Sequence, residues 1–305
     1  MGDVDAPFLR ERLDPFTGPT CEVVLVKGDR LRAVFRTHHA VMDGRGTIHW
    51  AEDIFRVLRG ELPEGSDSAL TDHELAATFT REGRFPPPHE FIAPTGNAQN
   101  GDPGVTWRRK ILEGKFSELL PRIALLTARE ARRHKNGKVR LAIPVDLRQR
   151  VPELRSTGNL TNTIYISIEE NATVKSIADD IDFQIKNMYD CRIYHREKFM
   201  NHVPLCIMTA ELKKIISQKH SAGLYHNSGI ISNLGRLDLL KFSGGGFNAS
   251  SWFAVPPCQE IVPFFMVLTG SSSSVSLMTG MPRVLASNGR LEDFIDRISS
   301  GLMQA

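Results

Sequence analysis

The sequence predicts a mixed-sheet α/β sandwich, an α+β arrangement in which helices and strands alternate along the chain. Two observations predict this class. Short β-prone runs alternate with segments whose apolar residues recur every three or four positions, which is the spacing of an amphipathic helix. The first two β-prone runs lie close enough together to form an antiparallel hairpin, which favours a mixed sheet over a purely parallel one.

The N-terminal elements are a hairpin and a helix. Runs 21–27 and 30–36 are β-prone, and the glycine and aspartate at 28–29 favour a tight turn between them. Residues 47–59 have helical spacing, and Gly60 supplies the stop. The order predicted here is strand, strand, loop, helix.

Residues 84–100 are rich in Pro, Gly and Asn and show no sustained period, which predicts a linker or a surface crossover. We place a domain boundary there, with an N-terminal domain at 1–100 and a C-terminal domain at 101–305. The later segments predict helices at 121–133, 174–188, 205–219 and around 291–298, and strands at 138–145, 160–168, 229–232, 264–269 and 275–279.

Composition excludes several classes of protein. With 41% hydrophobic and 24% charged residues, the chain is neither disordered nor a disulfide scaffold, and a net charge of +3 is too small to indicate nucleic-acid binding. The four cysteines form no C-x-x-C pair, which argues against a zinc knuckle and favours a reducing cytoplasm. No apolar run is long enough to cross a bilayer, so we expect neither export nor a membrane span.

The segment 37–46 carries the candidate chemistry. On the second strand, His39 shares the apolar face with Phe35 and Thr37 and is expected to point inward, where an imidazole suits proton transfer. Asp43 would brace the loop, and Gly44 would leave room for a ligand. A solvated or structural histidine is the plainer interpretation, and ligation of a metal by His38, His39, Asp43 and His49 is poorer still, because adjacent histidines on a strand point to opposite faces.

The segment from His38 to Gly44 matches the HHxxxDG signature and thereby resembles the condensation-domain and CoA-dependent acyltransferase superfamily. Two weaker stretches, 143–148 with 158–163, and 232–235, resemble further elements of that family in the same order. The resemblance implies lobes with the chloramphenicol acetyltransferase-like fold. Only 37 residues precede His38, so the first lobe would be incomplete at its N-terminus and the second complete.

The resemblance also implies roles for individual residues. His39 would be the catalytic residue, a general base or a hydrogen-bonding anchor for the acceptor, with His38 structural beside it. Asp43 would pair with Arg148 across the two lobes. The implied substrate-tunnel residues are Gly44, Asn159, Ser232 and Asn233.

The implied reaction is acyl transfer from a pantetheine thioester to an amine or hydroxyl, as in nonribosomal peptide condensation. No cofactor would be bound permanently, and no metal. The donor would be acyl-CoA or a phosphopantetheinyl carrier protein. The chain would be a fragment, a truncated paralogue or one half of a split enzyme, and in the last case a second polypeptide or subunit would supply the missing part of the first lobe. The alternative is a noncatalytic scaffold that binds a carrier protein or a partner subunit. The transferase interpretation fails if the imidazole of His39 points to bulk water or if no channel reaches it.

Basic residues cluster at 108–110 and at 129–140. A solvated helix face with a turn is the plainer interpretation of such a run, and attraction of an acidic carrier or of CoA phosphates is the functional one. Trp50, Trp107 and Trp252 are expected to be core or boundary aromatics.

Overall fold

The computed structural model describes residues 13–79, 81–83, 90–99, 101–193, 203–257 and 259–304. The chain divides into two compact units, each built from three segments. Unit 1 comprises 1–75, 146–162 and 237–252, and unit 2 comprises 76–145, 163–236 and 253–305. The predicted domains at 1–100 and 101–305 stay a prediction.

Unit 1 begins with an antiparallel hairpin of β1 (Cys21–Val26) and β2 (Arg32–Thr37). The predicted hairpin is confirmed, although the connection runs from 27 to 31 and is longer than the tight turn expected. Helix α1 (Gly44–Leu58) follows, and α2 (Asp72–Ala77) begins where unit 1 gives way to unit 2.

Aromatic side chains form the centre of unit 1. Phe55, on the buried face of α1, lies 6.0 Å from Phe35 of β2 and 5.5 Å from Phe247, measured between ring centroids. Phe242 packs edge-on against Phe55 at 6.3 Å, and Trp50 packs edge-on against Phe35 at 5.5 Å. Burial of these large rings holds the hairpin and the 237–252 segment to α1.

Unit 2 is built on a six-stranded sheet. Its strands lie in the order β4-β10-β9-β8-β5-β6. Their bounds are β4 Val105–Glu113, β5 Val139–Asp146, β6 Thr161–Ile168, β8 Gly229–Arg236, β9 Phe265–Gly270 and β10 Ser274–Pro282. Strands β4, β10 and β9 pair antiparallel, whereas β9, β8 and β5 pair parallel, so the predicted mixed sheet is confirmed.

Helices accompany this sheet, and all but one of those in the described ranges bury apolar side chains in its core; the exception, Leu205–Ala222, is exposed along most of its length. The helices are α3 Leu119–His134, α4 Val174–Lys186, α5 Leu205–Ala222, α6 Arg283–Ala286 and α7 Arg290–Met303. Ile123 of α3 and Phe294 of α7 are almost completely buried in one core with Leu277 of β10. A small parallel pair, β3 (Arg81–Glu82) with β7 (Arg192–Ile193), completes the unit. No helix in the described ranges is long and apolar enough to cross a membrane.

Two expectations from the sequence are wrong. The basic residues 108–110 lie on strand β4, not on a helix face and turn, and Arg108 and Lys110 form ion pairs with α7. The predicted surface crossover at 84–100 falls partly outside the described residues. Of its described part, 91–95 is buried, because Phe91 bridges to both Tyr225 and Lys138.

Candidate active site

The predicted catalytic histidine lies in a turn and not on a strand. Strand β2 ends at Thr37, and the amides of Val41 and Met42 both donate to the carbonyl of His38, at 2.8 and 3.1 Å. The side-chain alternation of the strand therefore stops before His39. His39 is exposed and His38 is partly buried, so the expected inward-facing imidazole of His39 is wrong.

Local contacts fix the turn on both sides of His39. Its Nδ1 lies 3.2 Å from the carbonyl oxygen of Met42, and its own carbonyl accepts a hydrogen bond from Nδ2 of Asn159 at 2.9 Å. The amide of Ala40 donates to Nδ1 of His38 at 3.3 Å. A carbonyl can only accept, so the contact with Met42 selects the His39 tautomer with its proton on Nδ1. Its Nε2 then keeps a free lone pair.

Asp43 closes the turn and caps α1. The residue is 2% exposed, and its side chain accepts from the amide of Gly46 at 2.7 Å, which satisfies one of the unpaired donors at the start of the helix. The amide of Leu160 and the hydroxyl of Thr161 donate to the same carboxylate at 2.8 Å each. Capping by Asp43 explains why α1 starts at Gly44, earlier than the apolar spacing predicts.

Arg148 completes the coordination of this carboxylate. Its two terminal nitrogens donate to the two oxygens of Asp43 at 3.0 and 3.2 Å. Its remaining donors bind the carbonyls of Ser156 and Gly158 and the carboxylate of Asp146, so all five N–H groups have an acceptor. The predicted pair is present, and both partners belong to unit 1; its expected position across two lobes stays a prediction, as the lobes themselves do.

The pair is almost completely removed from solvent. The side chains of Arg148 and Asp43 are 4% and 1% exposed. Burial by itself lowers the pKa of Arg148, but the charges and hydrogen bonds of Asp43 and Asp146 outweigh it and raise this pKa. The guanidinium therefore stays charged, and the pair is a permanent ionic link between the turn and residues 146–161.

Gly46 allows the backbone of α1 to approach the segment carrying Arg148. A Cβ placed on Gly46 would lie 2.1 Å from the carbonyl oxygen of Thr157 and 3.0 Å from that of Gly158. Only a residue without a side chain permits this contact. Gly44, a predicted tunnel residue, is the first residue of the same helix.

The remaining predicted site residues are divided between the two units. Asn159 lies in unit 1, and its Oδ1 is buried with no hydrogen-bond partner among the residues that the structure describes. Ser232 and Asn233 lie on β8 of unit 2, with Ser232 partly buried and Asn233 exposed. Oδ1 of Asn233 accepts from the amide of Gly235 at 3.0 Å. The tunnel roles of these residues stay predictions.

A second polar network, missed from the sequence, lies along α1. Nη1 of Arg155 donates to Nδ1 of His49 at 2.8 Å, and Nη2 contacts Asp53 at 2.9 Å. Burial alone would raise the pKa of Asp53, but the amides of Glu64 and Gly65, together with Arg155, lower it. The helical spacing of His49 and Asp53 could have indicated their shared face.

His49 thus binds an arginine. Within the described segments, no group of three or more His, Cys, Asp or Glu side chains is placed to hold a metal ion.

No protein-family model matches the chain, and no curated protein matches it. Solved structures do match its fold. A mutant starter condensation domain of rhizomide synthetase, in complex with C8-CoA and Leu-SNAC, gives a TM-score of 0.61 at 13% identity over 97% of this chain and 71% of that one. The structure describing condensation domain-mediated chain release from the enacyloxin polyketide synthase gives 0.57 at 14% identity, over 98% and 63%.

The epimerization domain from the third module of tyrocidine synthetase B gives a TM-score of 0.50 at 14% identity, over 96% of this chain and 73% of that one. The chain thus spans between 63% and 73% of the length of these three structures. At such identities the likeness concerns the fold. The protein has the chloramphenicol acetyltransferase-like fold of the condensation-domain superfamily, as its HHxxxDG resemblance predicts.

Proposed function

We propose that this protein transfers an acyl group from a pantetheine thioester to an amine or hydroxyl acceptor, with His39 as the general base. The observation that carries the proposal is the hydrogen-bonding state of His39. Its Nδ1 lies 3.2 Å from the Met42 carbonyl oxygen, and in the neutral tautomer that donates to this carbonyl, Nε2 carries the lone pair that can accept a proton.

The proposed reaction needs no covalent enzyme intermediate. The acceptor nitrogen or oxygen attacks the thioester carbonyl carbon while its proton passes to Nε2 of His39. The tetrahedral intermediate collapses, the carbon–sulfur bond breaks, and the departing thiolate takes the proton from the imidazolium. The products are an amide or ester and a free thiol, and the imidazole is regenerated.

Asp43 and Arg148 support this chemistry as positioning residues. Their contacts are with each other and with the chain around them, so they hold the turn in which His39 lies. The donor in this proposal is acyl-CoA or an acylated carrier protein, which fits the C8-CoA complex of the rhizomide synthetase domain with the same fold. The biological setting we propose is nonribosomal peptide or polyketide assembly.

A second candidate function is a noncatalytic condensation-like module that binds a carrier protein or a partner subunit. The exposure of His39 favours it, because a base open to solvent lacks the enclosed surroundings in which proton transfer is most effective. The hairpin favours it too, since Val23, Leu25 and Leu31 are 40%, 63% and 49% exposed. Such apolar surface suits a second polypeptide.

Thiol release separates these functions. Purified protein, with any polypeptide that co-purifies, is mixed with octanoyl-CoA and a panel of amines and alcohols, and free CoA is measured with a thiol reagent. We expect acceptor-dependent release, lowered by about 10²-fold or more in His39→Ala. The matched control is His134→Ala, which removes an exposed histidine from α3. Circular dichroism verifies that both variants are folded.

Equal rates in wild type and His39→Ala would remove His39 from the mechanism. Octanoyl-CoA binding measured by calorimetry, without acceptor-dependent release by the wild type, would overturn the transferase and favour the binding module.

A further inference from the structure

The sheet of unit 2 has an outer face that the core helices do not cover. On β4, Arg108 and Lys110 reach Glu292 and Asp296 of α7, at 2.6 and 2.9 Å. Because side chains alternate along a strand, Arg109 points to the opposite, outer face.

Strand pairing places polar groups on that same face beside Arg109. Arg109 lies directly opposite Met278 of β10, and Ser276 is the next residue of β10 on this face. Thr269 of β9 is paired with Ser276, and Val267 is paired with Met278. On β10 and β9 this face thus places two buried hydroxyls, those of Ser276 and Thr269, beside Arg109.

Arg109 uses only a small part of its hydrogen-bonding capacity. Its Nε donates to Oγ of Ser276 at 2.9 Å, and its guanidinium stacks on the ring of Phe253 at 4.2 Å from the centroid. Among the described residues it has no acidic partner and no other side-chain hydrogen bond. Burial lowers its pKa, and no neighbouring carboxylate acts in the opposite direction. Four of its five N–H groups remain available.

The surroundings of Arg109 are preorganised. Met278 and Val267 are 1% and 4% exposed. The segment that contains Phe253 crosses this face, since a Cβ on Gly280 would lie 3.1 Å from Cγ of Pro256. The Phe253 ring and the Ser276 hydroxyl together hold the guanidinium in one orientation, which reduces the entropy lost when a ligand binds.

We propose that Arg109 is the anchor of a binding site for the carboxylate of a small organic acid with an apolar body. A guanidinium offers two parallel N–H groups that match the two oxygens of a carboxylate. The Phe253 ring, which is partly exposed, supplies an apolar wall for the rest of the molecule.

The charge of the site favours a carboxylate over a phosphate. A single cation offsets the single charge of a carboxylate, whereas a phosphate monoester carries nearly two charges. The neighbouring cations of β4, Arg108 and Lys110, are already paired with α7 on the other face of the sheet. They cannot supply the second positive charge without breaking those pairs.

Hexanoate and its neutral isostere hexanamide are suitable probes. Saturation-transfer NMR with the full chain measures both. We expect hexanoate to bind, hexanamide to bind at least about tenfold more weakly, and Arg109→Gln to remove the difference. Arg108→Gln is the matched control, since it removes a cation from the same strand but from the opposite face. The Tm of each variant establishes that it is folded.

Hexanamide binding as tightly as hexanoate would overturn the proposal, and so would undiminished hexanoate binding to a folded Arg109→Gln variant. Inorganic phosphate that displaces hexanoate at lower concentration would overturn the choice of a carboxylate. The site does not depend on acyl transfer, so His39→Ala should bind hexanoate like the wild type. Failure of this proposal and failure of the proposed function are thereby distinguishable.

Discussion

Arg148 donates to both carboxylate oxygens of Asp43, at 3.0 and 3.2 Å, although 105 residues separate them in the sequence. This contact joins the end of the HHxxxDG turn to the segment that follows β5, and both side chains are buried. The net stabilisation of the fold by such a buried pair is smaller than the stability lost when one partner is removed. The reason is that the remaining partner would be a buried charge without compensation.

Removal of either partner should therefore destabilise the fold strongly. We expect Asp43→Ala and Arg148→Ala each to lower the free energy of unfolding by about 3–5 kcal/mol. The double variant should lose clearly less than the sum of the two, as contacting residues do. Urea denaturation measures all three. Asp179→Ala, in an exposed pair with Lys175, is the control and should cost about 0.5 kcal/mol or less. Additive losses would show that Asp43 and Arg148 do not interact.

Gly46→Ala should destabilise the protein, against the usual trend for helices. Alanine in place of a helical glycine normally stabilises by about 0.5–1 kcal/mol. Here the new methyl group would lie 2.1 Å from a backbone oxygen of Thr157, so we expect a loss of about 1–3 kcal/mol. Gly28→Ala, where the nearest atom is 3.7 Å away, should be close to neutral. Equal Tm values for the two variants would contradict the close approach.

Acid should weaken the contacts of Asp53. Its pKa lies below the ordinary value of 3.8 in the folded state, so the charged form stabilises the fold. That stabilisation is complete above about pH 4 and disappears as the pH falls through the lower folded-state pKa. We expect Asp53→Asn to be about 1–2 kcal/mol less stable at pH 6 and to show a flatter dependence below pH 4. Unfolding at a series of pH values measures this. Parallel curves for wild type and variant would contradict it.

Phe55 lies at the aromatic centre of unit 1, so its substitution should destabilise this unit strongly. Phe55 is 3% exposed and contacts the rings of Phe35, Phe242 and Phe247. Phe55→Ala should cost about 3–5 kcal/mol, since it removes a large buried ring and leaves a cavity. Val57→Ala on the same helix, at a side chain that is 55% exposed, should change stability by about 0.5 kcal/mol or less. Similar losses from both would show that Phe55 is not a core residue.

Local patterns predicted most of the elements but not their partners. The hairpin and α1 follow from β-prone runs and helical spacing, yet the start of α1 depends on Asp43, whose capping role is not part of the apolar pattern. The sequence does not predict strand β4, because charged residues occupy both of its faces and no alternation of polar and apolar residues is visible. Arg108 and Lys110 are compatible with a strand there because α7 supplies their acidic partners, and helix α7 is distant in sequence.

The site was predicted in part for the same reason. The Asp43–Arg148 pair is present as the resemblance implied, but the orientation of His39 is not the one expected. The side-chain alternation of β2 ends at Thr37 and does not reach His39. The turn is closed by backbone hydrogen bonds to the His38 carbonyl, and the pattern of polar and apolar side chains does not indicate these bonds. The sequence does not distinguish Arg109 from its neighbours, because its lack of an acidic partner among the described residues is a property of the folded sheet.

The complete coordination of Arg148 has a consequence for how this protein discriminates among ligands. A guanidinium whose donors all face internal oxygens has none left for a ligand, and the carboxylates of Asp43 and Asp146 already offset its charge. Arg148 can therefore hold the frame rigid while contributing nothing to the choice of ligand. Ligands can be selected by charge only by cations that still have N–H groups available, and Arg109 is such a cation.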